Sequence, residues 1–307
     1  MTRNVTILKG SAPTRIPSGA DEKRYSLLTV KDLTVRFASR QRRGGKKTSV
    51  IAVDHVSLTM GLGEIVGLVG ESGSGKSTVA RCLCGLNDGY EGTIVFDGEE
   101  LGRKRNREQW REIQMVFQDP FASLDPRLTV RKMLREVIRY HKVVIAPQMD
   151  DYCEYLMGLV QLPLELLDAL PREMSGGQRQ RVAIARAIAI RPWLLIADEA
   201  TAALDVSVQA EIIALLMELR RKLGLSILFI SHDLNIVRSI CDRTYVIYHG
   251  SFVEQGNTQD IFDNPQNDYT KRLIEAIPQL SSAYVDRLIR EEASEESQTK
   301  RSKKLAG

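Results

Sequence analysis

The sequence predicts an α/β fold organised around a phosphate-binding loop, and three observations carry that expectation. First, an apolar run at residues 65–69 (IVGLV) flows into Gly70, Glu71, Ser72, Gly73, Ser74, Gly75, Lys76, Ser77 and Thr78, and a helical pattern (VARCL) continues behind it. Strand, glycine-rich turn and helix in that order fit G-x-x-x-x-G-K-[ST] in the context that gives the pattern meaning. Second, two further apolar runs, 193–197 (WLLIA) and 226–231 (SILFIS), end at Asp198-Glu199 and His232-Asp233, so titratable groups stand at strand ends. Third, buried strands alternate with helical stretches and no internal repeat is visible.

Composition bounds the function classes. With 307 residues, 43% of them hydrophobic, the chain can bury a substantial core. A net charge of +4 is small for this length and does not by itself argue for a nucleic-acid-binding protein. Cys82, Cys84, Cys153 and Cys241 show no metal-ligand spacing and read as reduced core thiols. No stretch approaches the roughly eighteen uncharged residues that span a bilayer, so the expectation is a soluble, cytoplasmic protein that reaches a membrane only through a partner.

Taken in order, residues 1–26 mix prolines, glycines and charge without a hydrophobic period and read as a mobile tail. Residues 27–37 (LLTVKDLTVRF) alternate as a strand does, 38–49 form a basic tip, and 50–58 resume the strand, which makes a hairpin. The tip carries Arg40, Arg42, Arg43, Lys46 and Lys47; a solvated loop and a patch for lipid phosphates or nucleic acid both fit it. Phe37, on a strand just upstream of the phosphate loop, can stack on a purine or simply pack within its sheet. A strand and turn at 92–98, a basic loop at 103–107 and a short strand at 113–117 follow. Beyond Gln118 the period becomes helical: Val130, Met133, Leu134, Val137 and Ile138 share one face, and a second helix at 150–160 starts from an Asp150 cap. This is a helical subdomain inserted in the α/β core. A long helix at 179–190, another at 210–223, and a hairpin across His249-Gly250 complete the pattern.

The chemistry concentrates at four places. Gly70, Gly73 and Gly75 let the backbone turn its N–H groups inward over the positive end of the next helix, while Lys76 brings a point charge and the Ser77 hydroxyl can ligate Mg²⁺. Asp198, at the end of a buried strand, is the expected metal partner of Ser77, and Glu199 beside it can accept a proton from a water attacking a phosphate. His232 could hydrogen-bond a phosphate oxygen, although a strand-end histidine taken alone is more often structural. Ser175, Gly176 and Gly177 open a helix and offer a second anion cradle, or merely a glycine-containing helix start. A GTPase-type switch accounts for Lys76 and Ser77 equally well but gives no role to the Ser175 segment or His232.

The set Gly70 to Thr78, Gln118, Met174 to Gln178, Leu194 to Glu199, Leu204-Asp205 and His232, in that order, resembles the ATP-binding subunit of an ABC transporter across residues 27–278. The resemblance implies a cassette with a RecA-like core, an antiparallel β subdomain and an inserted helical subdomain at about 121–190, within an ATPase domain spanning 27–262. It further implies that 70–78 is the Walker A loop and that Gln118 lies in a Q-loop sensing the metal and the membrane subunit. Ser175, Gly176, Gly177 and Gln178 would form the signature, Asp198 would close Walker B, and Glu199 would be the catalytic base. Asp205 would belong to the D-loop, His232 to the switch, and Phe37 would stack on adenine. ATP and Mg²⁺ are the cofactors so implied.

A narrower likeness, to the oligopeptide/dipeptide/nickel importer branch, rests on 117–127 (FQDPFASLDPR), 205–209 (DVSVQ) and the segment 256–278 with Asn264-Pro265 and Tyr269-Thr270. It implies a C-terminal extension over 263–307, whose residues stand far from the chemistry. It also implies a second cassette paired head-to-tail, two membrane permease subunits, a solute-binding protein, a place on the cytoplasmic face of the inner membrane, and no nucleic-acid partner. Met174 departs from the usual signature leucine. Ala200 and Ala202 replace the branch's proline and small hydroxyl residue, which should loosen the loop after Glu199. A soluble ABC-type ATPase acting on DNA or ribosomes is the alternative, though such proteins usually carry paired cassettes or long coiled-coil insertions.

Overall fold

The computed structural model describes residues 26–43, 46–119, 123–202 and 204–276. The expected tail before Ser26, the charged end after Ala276, and Pro120, Phe121 and Ala122 of the branch-specific run lie outside the described residues. Two sheets organise the rest. One is antiparallel, in the order β2-β1-β4-β5, built from β1 (Ser26–Arg43), β2 (Lys46–Gly61), β4 (Tyr90–Phe96) and β5 (Glu99–Glu100). The other, in the order β10-β9-β3-β8-β7-β6, contains β3 (Ile65–Val69), β6 (Ile113–Val116), β7 (Leu194–Asp198), β8 (Ser226–Ile230), β9 (Arg243–Tyr248) and β10 (Ser251–Asn257). Its five strands from β9 to β6 run parallel, and β10 pairs antiparallel at one edge.

The long β1–β2 hairpin confirms the expected strand pair but corrects its extent. Pairing continues through Ala38↔Ser49, Arg42↔Lys47 and Arg43↔Lys46, so most of the basic tip is strand. β-Bulges let so long a ribbon curl: register shifts recur along it, and Asp32 and His55 take positive φ at 52° and 49°.

The parallel sheet is buried on both faces, which is why its strands read as unbroken apolar runs. Alternate residues serve different cores. Val66, Leu68, Leu228 and Ile230 pack with the antiparallel sheet and with α1 (Lys76–Leu83). Ile65, Val69, Ile227 and Phe229 pack on the other side with a group of helices: α3 (Val130–His141), α4 (Met149–Leu159), α5 (Gly176–Ile188), α6 (Val206–Leu223) and α7 (Leu234–Ile240). At roughly 25 cal/mol per Å² of apolar surface, the alternation in these strands stabilises both layers at once. All four cysteines are free and buried, and burial pushes the Cys82, Cys84 and Cys153 thiols up to about 12.

Three expectations are corrected locally. Asp150 does not cap α4: Gln148 is the N-cap and makes no side-chain cap bond, because a 3-10 turn over Ala146–Gln148 feeds straight into the helix. The Asp150 carboxylate is instead held by Arg135 at 2.9 Å. The basic loop at 103–107 ends in a helix, α2 (Arg107–Glu112), started by an Asn106/Gln109 capping box, and Arg105 donates to the carbonyls of Gly102 and Cys82. The helices predicted from 179 and 210 begin earlier, at Gly176 and Val206. Past β10 the chain forms α8 (Thr258–Asp263) and α9 (Asp268–Glu275), which pack against the parallel sheet.

Candidate active site

The C-terminal ends of the parallel strands gather the polar residues at one edge of the sheet, where α/β sites lie. Between β3 and α1, the phosphate loop threads a narrow space. A Cβ on Gly70 would stand 2.2 Å from the Ile247 carbonyl oxygen of β9, and one on Gly75, at φ 112°, would stand 2.5 Å from the Ala52 carbonyl oxygen of β2. No other residue fits either place. Gly75 is also the N-cap of α1 and has no side chain to close it, and the first turn carries no acidic residue. The first-turn N–H groups are thus presented to an incoming anion.

Lys76 is 4% exposed, and its Nζ donates to the carbonyls of Gly70 and Glu71, both at 2.8 Å. These bonds fold the side chain back along the loop and leave one of its three donors for a phosphate oxygen. Burial pushes the Lys76 pKa down, while Glu199, Asp198 and Glu71 oppose that shift. Ser77 Oγ donates to Asp198 Oδ1 at 3.0 Å, across 121 residues of sequence. The phosphate-loop hydroxyl and the strand-end carboxylate therefore meet.

Asp198 is 6% exposed; burial raises its pKa, Glu199 raises it further, and the Ser77 hydrogen bond works in the other direction. A buried carboxylate with a like charge beside it is stabilised by a cation. Among the described residues no group of three or more His, Cys, Asp or Glu side chains could cage a metal. A divalent ion here would take the Ser77 hydroxyl, the Asp198 carboxylate and oxygens of a phosphate or water, the mixed coordination that Mg²⁺ favours.

Glu199 follows directly at φ 47°, a left-handed conformation uncommon for a residue with a side chain. Its N–H donates to the Ile230 carbonyl at 2.9 Å, and its carbonyl accepts from Ala202 N–H at 3.0 Å. Those two bonds, with Ala200 buried in the core, close the turn that the Ala200 and Ala202 departures were expected to loosen. Glu199 Oε2 lies 3.5 Å from His232 Nδ1, so the strand-end carboxylate and the strand-end imidazole meet across β7 and β8. Asp233, by contrast, is a helix cap: its carboxylate accepts from the N–H groups of Asn235 and Ile236.

The remaining candidates surround this centre. Gln118 is exposed two residues past the end of β6, whose Val116 is in register with Ala197 of β7. Phe37 is 48% exposed and paired with Val50, on the ribbon whose Ala52 carbonyl touches the phosphate loop. Glu71 and Ser72 form the exposed outer turn of that loop, closed by Ser74 N–H to the Glu71 carbonyl, and Thr78 lies in the first turn of α1.

The Ser175 segment is built for rigidity as well as exposure. Ser175 caps α5 in a reciprocal box with Gln178, whose side chain accepts from Ser175 N–H at 2.9 Å. A Cβ on Gly177 would stand 2.6 Å from Val208 Cγ1, so this glycine permits the close approach of α5 and α6. Asp205, exposed at the N-cap of α6, makes no side-chain cap bond. Sequence reasoning missed Tyr269, whose hydroxyl accepts from Glu71 N–H at 3.1 Å and brings the C-terminal extension onto the phosphate loop. The expectation that this segment stands far from the chemistry is thereby corrected: its sequence carries no chemical motif, and only folding brings it back.

The ABC transporter family model matches residues 53–202. The oligopeptide transport ATP-binding protein OppF of Lactococcus lactis is 43% identical over 258 residues, spanning 83% of this chain and 81% of that protein. The chain belongs to the ABC transporter family. Within that family, AmiF of Streptococcus pneumoniae, an oligopeptide transport ATP-binding protein, is 44% identical over 82% of each chain. A second family model, the oligopeptide/dipeptide transporter C-terminal region, matches residues 253–306. The structure of cbiO1 from Clostridium perfringens superposes with a TM-score of 0.67 at 26% identity, covering 84% of this chain and 98% of that one. The ATP-binding cassette MJ0796, captured as a dimer after hydrolysis with ADP and phosphate, gives 0.65 at 27% identity, covering 75% and 98%. This ABC cassette is an ATP-binding ATPase, and its sheet and helix layers are those of the P-loop ABC fold.

Proposed function

We propose that this cassette powers the import of peptides or related small solutes across the inner membrane, working from its cytoplasmic face with a second cassette and two membrane permease subunits that receive solute from a binding protein. The observation that carries this reading is likeness, over four-fifths of both chains, to OppF, joined to a C-terminal region of the oligopeptide/dipeptide type. Among the described residues no helix is long and apolar enough to cross a membrane, so passage of solute is assigned to partners.

In this reading Phe37 stacks on the adenine, while the N–H groups of Gly73, Gly75, Lys76, Ser77 and Thr78 hold the phosphates. Ser77 and Asp198 would hold Mg²⁺, with Gln118 completing the site. When bound, the metal supplies charge neutralisation at the β- and γ-phosphates. Glu199 takes the proton from the water that attacks the γ-phosphorus, the bond to the ADP oxygen breaks, and phosphate leaves. His232, 3.5 Å from Glu199, senses and orients that end of the site. Ser175, Gly176, Gly177 and Gln178, with Asp205, face the nucleotide of the partner cassette. A groove of about 420 Å³, lined by Leu86, Trp110, Phe117, Gln114 and Arg186 among others, offers a seat of mixed polar and apolar character to a permease subunit.

The test is copurification and transport. Co-expressed with the permease subunits of an oligopeptide importer, the chain should co-isolate with them, hydrolyse ATP in preference to GTP, and support uptake of a labelled oligopeptide. ATP hydrolysis without membrane association or uptake would leave the ATPase and remove the importer.

A further inference from the structure

The C-terminal extension carries a device that the nucleotide chemistry described above does not use. α9 is fixed firmly in front of the phosphate loop: Glu254 of β10 accepts from the N–H groups of Gln266 and Asn267 at 2.8 and 3.1 Å, and Asn267 caps the helix by accepting from Tyr269 N–H at 2.8 Å. This places the Tyr269 ring, 5% exposed, against the ring of Tyr248 with centroids 4.1 Å apart. The tilted ring contact leaves the hydroxyl aimed at the loop, where it accepts from Glu71 N–H at 3.1 Å.

The same loop is held from the other side by the β9–β10 turn. Gly250 N–H donates to the Ser74 carbonyl at 3.0 Å, and Tyr248 is the last residue of β9, immediately before that turn. Glu71 and Ser74 are the two ends of the outer turn, bonded to each other at 3.2 Å. The turn therefore has an anchor at each end, and one of them is a side chain of the extension. A loop that must present several N–H groups to a phosphate at once pays less ordering entropy on binding if it is already in that shape.

We propose that Tyr269 is a positioning residue for the phosphate loop, its hydroxyl holding the Glu71 amide so that the loop is preformed for nucleotide. The proposal rests on the ATPase reading of the loop and extends it to the C-terminal segment. Tyr269 touches no reacting atom; it acts through Glu71. The prediction is a separation of binding from chemistry, since an interaction present equally in ground and transition states changes KM and spares kcat.

Tyr269→Phe keeps the ring on Tyr248 and deletes only the hydroxyl. In the full chain, ATP titration should show the nucleotide Kd and KM raised about 5-fold, the size expected for one hydrogen bond, with kcat within about 2-fold of wild type and Tm unchanged. Asn267→Ala, which loosens the cap that orients Tyr269, should shift Kd in the same direction by about 2-fold. Unchanged Kd in Tyr269→Phe overturns the proposal, and so does a joint loss of Tm, kcat and affinity, which would make the hydroxyl structural. A wild-type chain that binds no ATP would instead overturn the nucleotide reading and this inference with it.

Discussion

At the scale of single residues, Glu199 shows how position and conformation are fixed together. Its φ of 47° costs on the order of 1 kcal/mol, offset by the backbone bonds to Ile230 and Ala202 that hold it in place. The carboxylate is thereby brought within 3.5 Å of the His232 imidazole. Glu199→Gln keeps the shape and removes the proposed base. It should bind ATP normally and hydrolyse it at least about 100-fold more slowly in single-turnover assays, and near-wild-type hydrolysis would take the base role from Glu199. Glu112 gives a pH prediction of its own. Burial first, then the charges of Asp97, Glu99 and Glu108, push its pKa from the ordinary 4.5 up to about 7. The folded protein therefore holds this proton more tightly than the unfolded chain. Stability from this group is full below about pH 4.5 and declines as pH rises towards 7. Glu112→Gln should accordingly raise stability at pH 8 by on the order of 1 kcal/mol after solvent screening and change little at pH 4. Melting curves of the two proteins that run parallel across that range would rule the effect out.

Secondary-structure elements place these residues by close approach. The contact of α5 with α6 depends on Gly177, where an added methyl would press on Val208. Gly177→Ala should lower stability by about 1–3 kcal/mol through overpacking and disturb the Ser175 cap two residues away. Trimming the opposing side chain in Gly177→Ala/Val208→Ala should recover most of that loss in thermal unfolding. If the double variant is no more stable than the sum of the singles predicts, the clash is not the cause. The glycine pair in the Ser175 segment thus serves packing in addition to any anion it meets. The capping boxes of α2 and α5 repeat the theme with side chains three residues apart: Asn106 with Gln109 satisfies three end N–H groups, and Ser175 with Gln178 satisfies two.

For the whole molecule, two layers of core on either side of one parallel sheet make its C-terminal edge rigid, and the phosphate loop, Asp198, Glu199 and His232 all stand on that edge. The proposed shared site assigns the signature segment to the nucleotide of a partner cassette, a prediction that can only be tested in assemblies. Ser175→Arg should abolish ATP turnover when both cassettes carry it. In a mixed pair with an unaltered cassette it should silence mainly the site that the altered signature completes, read as roughly half the turnover. Unimpaired hydrolysis in both assemblies would refute the shared arrangement.

The nucleotide centre was legible before folding because its chemistry is local. A phosphate loop needs its glycines, lysine and hydroxyl within nine consecutive residues, and the apolar runs that end at Asp198 and His232 announce buried strands by composition alone. Helix starts were less legible where a 3-10 turn, as before Met149, or a capping box, as at Asn106, shifted the boundary. Contacts between remote segments carried no signal at all. Nothing around Tyr269 marks it as a neighbour of Glu71, 198 residues away, and nothing in Gly177 names Val208 as the reason for its missing side chain. The sequence by itself determined the α/β cassette and the residues able to hold a nucleotide, since periodicity and motif spacing are properties of consecutive positions. Only the tertiary structure decided which parts of the chain hold that loop in shape, because the strand order of the sheet, with β9 beside β3, brings the end of the chain back to its phosphate loop.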